Sequence, residues 1–328
     1  MLSLASADAL LAPLAEETAL LLAVSGGPDS LALMLLAARW SLRDEIKIAV
    51  ATVDHGLRAA SREEALFVAG EAQALGFEHR LLVWAGDKPS TRLQERAREA
   101  RYALLADCAA KVDPRCAVVT AHHADDQAET ILFRLCRGSG VAGLGGMAAV
   151  STLDGARLLR PLLDTPKAAL EAICAEAGRA FLTDPANADP RFARARLRSL
   201  AATLAAEGLD RDALLRLGRR AARADAALRA CAAQVAERAR LDSDGATARF
   251  KADALREAPD ELLARLIETQ TARFGRAPRL DRLERAQQRV GRALARCEAT
   301  RMTLAGALID VDEGSLSFRP APPRARRP

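Results

Sequence analysis

Four short segments concentrate the residues able to do chemistry. Ser25-Gly26-Gly27-Pro28-Asp29-Ser30 joins an apolar run to an amphipathic one. Its glycines let the backbone approach a ligand closely, Asp29 or Ser30 can cap the helix that opens there, and the exposed N–H groups favour an anion. It lacks the G-x-x-x-x-G-K-[ST] spacing of a Walker loop, and an ordinary strand–turn–helix junction is the plain alternative. Val53-Asp54-His55-Gly56-Leu57-Arg58 sets an acid, an imidazole and a guanidinium close together. In Ala97-Arg98-Glu99-Ala100-Arg101-Tyr102 the two arginines share one helix face, an arrangement suited to gripping phosphate. His122-His123-Ala124-Asp125-Asp126-Gln127-Ala128-Glu129 carries two histidines and three acids. Adjacent histidines lack the i, i+4 spacing of a zinc helix, so Mg²⁺ on hard carboxylates suits the segment better, with Asp29, Asp126 and Glu129 as ligands. Capping by Asp125 and Asp126 is the structural alternative.

The elements that must position these segments follow from the apolar runs. Ala19–Val24, Ile46–Val53, His79–Trp84 and Cys116–Ala121 read as strands. Asp29–Trp40, Ser61–Leu75, Thr91–Lys111 and Asp125–Cys136 read as the helices between them. Continuous apolar strands alternating with helices predict an α/β fold, a parallel sheet covered on both faces. Ligands of such sheets bind at the carboxyl ends of the strands, where the polar segments fall. Gly138-Ser139-Gly140-Val141-Ala142-Gly143 fits G-x-G-x-x-G literally but follows a helix, so a mobile substrate loop fits better than a dinucleotide site.

Beyond residue 200 the periodicity turns helical over Asp210–Arg240, Pro259–Phe274 and Leu280–Arg296, closing with a hairpin around Asp312-Glu313-Gly314. The Pro- and Arg-rich end, 319–328, is expected to be disordered. Composition excludes other classes. The longest uncharged run, Gly138–Leu153, is broken by glycines and too short to span a bilayer. Acidic Asp8, Glu16 and Glu17 near the start argue against a signal peptide. The six cysteines form no C-x-x-C pair, as expected of a reduced, cytoplasmic protein. A net charge of +5 with only 3% aromatics suits nucleic-acid contacts made by arginine rather than by stacking.

Taken in order, the motifs S-G-G-P-D-S, V-D-H-G-L-R, A-R-x-x-R-Y, A-H-H-A-D-D-Q-A-E-T, R-G-S-G-V-A-G-L-G-G-M and R-P-L-L resemble one family, the tRNA(Ile)-lysidine synthetases, N-type ATP pyrophosphatases with a PP-loop. The resemblance continues through Asp184-Pro185-Ala186-Asn187-Ala188-Asp189, Phe192, Arg194 and Arg198, and loosens after residue 200, where Thr303-Leu304-Ala305-Gly306 stands for the family's common T-L-G-G. It implies a PP-loop ATPase domain of the adenine nucleotide alpha hydrolase-like type over 1–200. A smaller, mostly helical tRNA-binding domain over 201–318 would follow. ATP, held by Ser25, Gly26, Gly27, Pro28, Asp29, Ser30, Asp54, His55 and Arg58 with Mg²⁺, would adenylate the wobble cytidine of a CAU-anticodon isoleucine tRNA. Free lysine would then displace AMP. Asp29, Arg98, Arg101, His122, His123, Asp125 and Asp126 would be catalytic, and Arg191, Arg194, Arg196 and Arg198 would contact tRNA. A solvated helix face is the plain alternative for that arginine cluster. No membrane association is expected, and a homodimer is left open. The rival reading, a tRNA cytidine thiolase of the same fold, would need a cysteine pair or an iron–sulfur cluster.

Overall fold

The computed structural model describes residues 3–56, 61–86, 88–89, 91–182, 193–241, 247–275 and 277–322. By its internal contacts the chain divides into two units, 1–136 with 146–216, and 137–145 with 217–328.

In the first unit α1 (Ala7–Leu11) precedes β1 (Ala19–Ala23), α2 (Pro28–Arg39), β2 (Lys47–Asp54), α3 (Ser61–Ala74), β3 (Glu78–Val83), α4 (Leu93–Val112), β4 (Ala117–Val119) and α5 (Ala124–Leu135). The expected strands and helices of this stretch are present, with ends shifted by a residue or two. The unit continues, after α6 (Val141–Leu144) of the other unit, with β5 (Val150–Leu153), β6 (Ala156–Leu159), α7 (Lys167–Glu176), α8 (Ala193–Ser199) and α9 (Ala201–Ala206). Its six-stranded sheet has the order β3-β2-β1-β4-β6-β5, parallel except for β5.

Both faces of β1 are covered, which is why it is apolar throughout. Leu20 and Leu22 pack with Leu31, Met34 and Ile173, whereas Ala19 and Leu21 pack with Leu105 and Ala109 of α4. The chain runs from β1 to its neighbour β2 on one side and returns as β4 on the other. The loops after β1 and β4 therefore part, leaving the crevice where such sheets bind ligands.

The second unit is built from α10 (Arg211–Ala239, divided between the units), β7 (Ala248–Lys251), α11 (Ala252–Arg256), α12 (Asp260–Ala272), α13 (Leu280–Arg296), β8 (Thr300–Leu304), β9 (Ala307–Val311) and β10 (Ser315–Pro320). The hairpin around Asp312 forms, with Asp312 Oδ1 accepting from the N–H groups of Gly314 (2.9 Å) and Ser315 (2.6 Å). It is half of a four-stranded antiparallel sheet, β7-β10-β9-β8, rather than an isolated closing hairpin. The last strand runs through Pro320, into the segment expected to be disordered; residues 323–328 lie outside the described ones. Phe250 and Phe318 meet edge to face at 6.0 Å in the core, and α10 is tied to α12 by Asp225 and the buried Arg265 at 2.7 Å.

Candidate active site

The loop after β1 is shaped by its own side chains. Gly26 sits at φ +85, and a side chain there would strike Leu182, whose N–H donates to the Gly26 carbonyl (2.9 Å). Gly27, not Asp29 or Ser30, is the N-cap of α2 and brings no side-chain hydrogen bond, and Pro28 supplies the first-turn φ. Ser30 turns back into the loop, accepting from Ser25 N–H and donating to the Gly27 carbonyl, both at 3.1 Å. The first-turn N–H groups of α2 thus have neither an intrahelical partner nor a capping side chain, an arrangement suited to phosphate oxygens. Asp29 projects from this turn. Its Oδ1 is buried without a hydrogen-bond partner, and its Oδ2 lies 3.5 Å from His123 Nε2.

His123 ends the loop after β4 and caps α5. Its Nδ1 accepts from Asp126 N–H at 3.3 Å, while Asp126 Oδ2 accepts from His123 N–H at 3.2 Å. The same Oδ2 is 3.5 Å from His123 Nε2, so Asp29 and Asp126 flank one imidazole nitrogen. Burial alone would lower the His123 pKa, but the Asp29 hydrogen bond and the charges of Asp126, Asp29 and Asp125 outweigh it and hold the value above the ordinary one. Burial raises the Asp126 carboxyl despite the opposing pull of His123. Of the capping alternative raised for Asp125 and Asp126, Asp126 takes part in a capping box with His123, and Asp125 instead accepts from Lys167 N–H (2.8 Å) at the start of α7.

His122 faces the opposite kind of charge. Its Nδ1 bonds Thr120 Oγ1 (2.8 Å), and burial together with Arg101, Arg160 and Arg98 pushes its pKa down to about 3. Arg98 and Arg101 both stack on Tyr102, at 4.9 and 5.0 Å from the ring, and Arg98 also donates to its hydroxyl (3.1 Å). Arg101 Nε and Arg160 Nε are buried without hydrogen-bond partners. Three guanidiniums, a neutral imidazole and two unpartnered guanidinium nitrogens are an arrangement suited to an anion.

Other expected residues are engaged elsewhere. Glu129 does not join Asp29 and Asp126; Arg198 of α8 holds both its oxygens, with Nη2 to Oε2 at 2.9 Å. Among the described residues no three His, Cys, Asp or Glu side chains gather as a metal cluster. Asp54 accepts from Ser61 Oγ (2.6 Å) and Gly56 N–H (2.7 Å), which together hold its carboxyl below the usual range. Burial, then the Arg101 charge, lowers the pKa of His55, which meets Trp84 edge to face at 6.2 Å. Arg58, Arg191 and the Arg194 side chain lie outside the described residues, and Arg196 is exposed on α8. Two residues of the quoted motifs carry roles that spacing alone did not assign. Arg160 of R-P-L-L follows β6 and reaches the arginine cluster. Gln127 holds Met147 by both its N–H (2.7 Å) and its carbonyl (2.8 Å), fixing the far end of the glycine-rich loop.

Residues 3–204 match the family model of a PP-loop domain. The chain is similar to the tRNA(Ile)-lysidine synthase of Rhodopseudomonas palustris, 49% identical over 321 residues, 94% of this chain and 92% of that one. It is similar also to that of a Methylobacterium species, 50% identical over 317 residues (93% and 90%), and to that of a Bradyrhizobium species, 45% over 346 residues (99% and 96%). Among solved structures, a U34-tRNA thiolase from Methanococcus maripaludis, with its [4Fe-4S] cluster, superposes with a TM-score of 0.55. It is 14% identical and is matched over 66% of this chain and 77% of its own, a likeness of fold alone.

Proposed function

From the chain's place in the tRNA(Ile)-lysidine synthase family, to which it belongs, we propose a division of labour between the two sides of the crevice. The enzyme is an ATP-dependent ligase that joins lysine to carbon 2 of the wobble cytidine of the CAU-anticodon isoleucine tRNA. The observation that supports this division is the sorting of charge beside the phosphate loop: carboxylates around His123, guanidiniums around His122.

In the first step the cytidine O2 attacks the α-phosphorus of ATP and pyrophosphate leaves. The first-turn N–H groups of α2 receive the departing pyrophosphate, and Arg98, Arg101 and Arg160 steady the transferring phosphate. The orphaned Asp29 Oδ1, with Asp126 across from it, fits a hard cation that keeps water and phosphate ligands and needs only one or two carboxylates. Mg²⁺ held there would offset the charge on the phosphates. In the second step the ε-amine of lysine attacks carbon 2, the C2–O bond to AMP breaks, and the amine loses its proton. The carboxylate side, Asp126 with His123, suits the approaching ammonium, whereas His122 among arginines suits the adenylate. Arg191, Arg194, Arg196 and Arg198 would bring in RNA phosphates, Arg198 exchanging its bond to Glu129. Among the described residues no helix is long and apolar enough to cross a membrane, and we assign the enzyme to the cytoplasm, where tRNA and ATP are met.

The test is incubation with isoleucine tRNA transcript, ATP and isotope-labelled lysine, followed by nucleoside mass spectrometry. Labelled lysidine that requires ATP is the expected product. Unmodified cytidine would refute the reading, and a thiolated cytidine formed with a sulfur donor would support the thiolase in its place.

A further inference from the structure

Helix α13 has two faces of opposite character. Leu283, Ala286, Val290, Ala293 and Leu294 are buried in the core of the second unit. At about 100° per residue, Arg285, Arg289, Arg292 and Arg296 fall within an arc of roughly 60°, centred about 120° round the helix from that buried stripe. With Ala299 and Thr300, where the chain leaves the helix, they line a groove of ≈ 410 Å³ in which Glu298 is the one acid. Three of them are engaged: Arg289 donates to Thr300 Oγ1 (2.8 Å) and to the Arg301 carbonyl (3.0 Å), Arg285 is anchored on Asp281, and Arg296 lies 3.9 Å from Glu298.

Ordinary explanations cover only part of this face. A helix dipole attracts cations to its last turn, which accounts for Arg296 but not for Arg285 or Arg289. A face kept for solubility mixes signs evenly, whereas here four guanidiniums line the groove with a single acid, Glu298. Small-molecule pockets are mostly apolar with a few polar groups, whereas four guanidiniums dominate here. The row extends about 16 Å along the helix, enough for several phosphates at about 3.4 Å of axis each on one strand of a duplex. Guanidinium groups bind phosphate in bidentate fashion.

We propose that this face is a second RNA-backbone site, in which Arg285, Arg289, Arg292 and Arg296 hold phosphates of the tRNA substrate; it rests on the lysidine synthase reading. The test is a triple variant, Arg285→Gln, Arg292→Gln and Arg296→Gln, sparing Arg289 because it ties α13 to β8. Binding of isoleucine tRNA transcript is measured from 50 to 200 mM salt. Each lost contact should lower the magnitude of the log–log slope by about 0.7–0.9, so the triple variant should lose about 2.1–2.7, with affinity at least tenfold weaker at the low-salt end. In steady-state lysidine formation KM for tRNA should rise by more than kcat falls. Arg292→Gln alone, which removes no hydrogen bond to the fold, should lose one such step and guards against a misfolded triple variant. Unchanged slope and affinity in both variants would overturn the proposal. If wild-type protein made no lysidine, the functional reading would fail, while the slopes would still decide whether this face binds RNA.

Discussion

Replacing Asp29 by Asn keeps the shape of the side chain and removes its charge. Two modest stability losses follow. The first turn of α2 loses a favourable interaction with the helix dipole of about 0.3–1 kcal/mol. The contact of Oδ2 with His123 Nε2 is weakened, a loss of about 0.5–1.5 kcal/mol. The net change stays within about 2.5 kcal/mol, and at about 2–4 °C per kcal/mol for a domain of this size Tm should fall by less than about 10 °C. The effect on catalysis is larger. A preorganised electrostatic group facing the developing charge contributes about 10²–10³ in kcat, roughly 2.7–4 kcal/mol. Pyrophosphate release with saturating ATP, Mg²⁺ and tRNA should therefore fall at least about a hundredfold in a protein that melts almost as the wild type does. Turnover within about threefold of wild type, less than 1 kcal/mol of barrier, would refute the assignment of Asp29 to the phosphate–cation site.

Three further outcomes are expected. Asp126→Asn should separate the half-reactions if this carboxylate serves the lysine step, retaining pyrophosphate release while losing lysine incorporation; a parallel fall of both would place it with the cation. Arg194→Ala with Arg198→Ala should flatten the salt dependence of tRNA binding by about 0.7–0.9 per lost phosphate contact, and an unchanged slope would assign Arg198 to the fold, where it holds Glu129, and not to RNA. Asp225→Asn should destabilise the second unit by about 2–4 kcal/mol in urea melts at neutral pH, because it strips the buried Arg265 of a partner. Burial alone would raise the Asp225 pKa, but Arg265 and Arg229 outweigh it and hold the value below the ordinary 3.8. Its contribution is thus complete above 3.8 and lost as pH falls through the lowered value. The gap between wild type and variant should close in acid, and an equal gap at pH 7 and pH 3 would contradict the ion-pair account.

The first half of the sheet was legible because β1 and β2 are apolar on both faces and the helices between them are long. Short β5 and β6 lie in and beyond an uncharged run with no clear period, and Arg160 went unassigned for want of the strand that presents it. The motif residues around the phosphate loop were visible as types, but which of them meet was not. That Asp29 reaches His123 and Arg198 reaches Glu129 depends on pairings made across the fold, beyond any local periodicity. Local chemistry also misled: Ser30 and Asp125 have the composition of helix caps, yet one bonds back into its loop and the other accepts from the start of α7.

The position of β1 between β2 and β4 has a consequence for how the protein comes into being. Leu21 pairs with Val118 across β1 and β4, so the strand at the centre of the sheet waits for a partner roughly a hundred residues downstream. At about 5–20 residues per second on the ribosome, that delay is roughly 5–20 s. During it, a nascent chain that already carries β1, β2 and β3 exposes the unpaired apolar edge of β1, a template for pairing with the wrong chain. The phosphate loop is complete in sequence from the outset, but the crevice exists only once β4 has closed that edge. Stalling synthesis before residue 117 should yield a species prone to association through β1, and extending it past α5 should relieve that tendency.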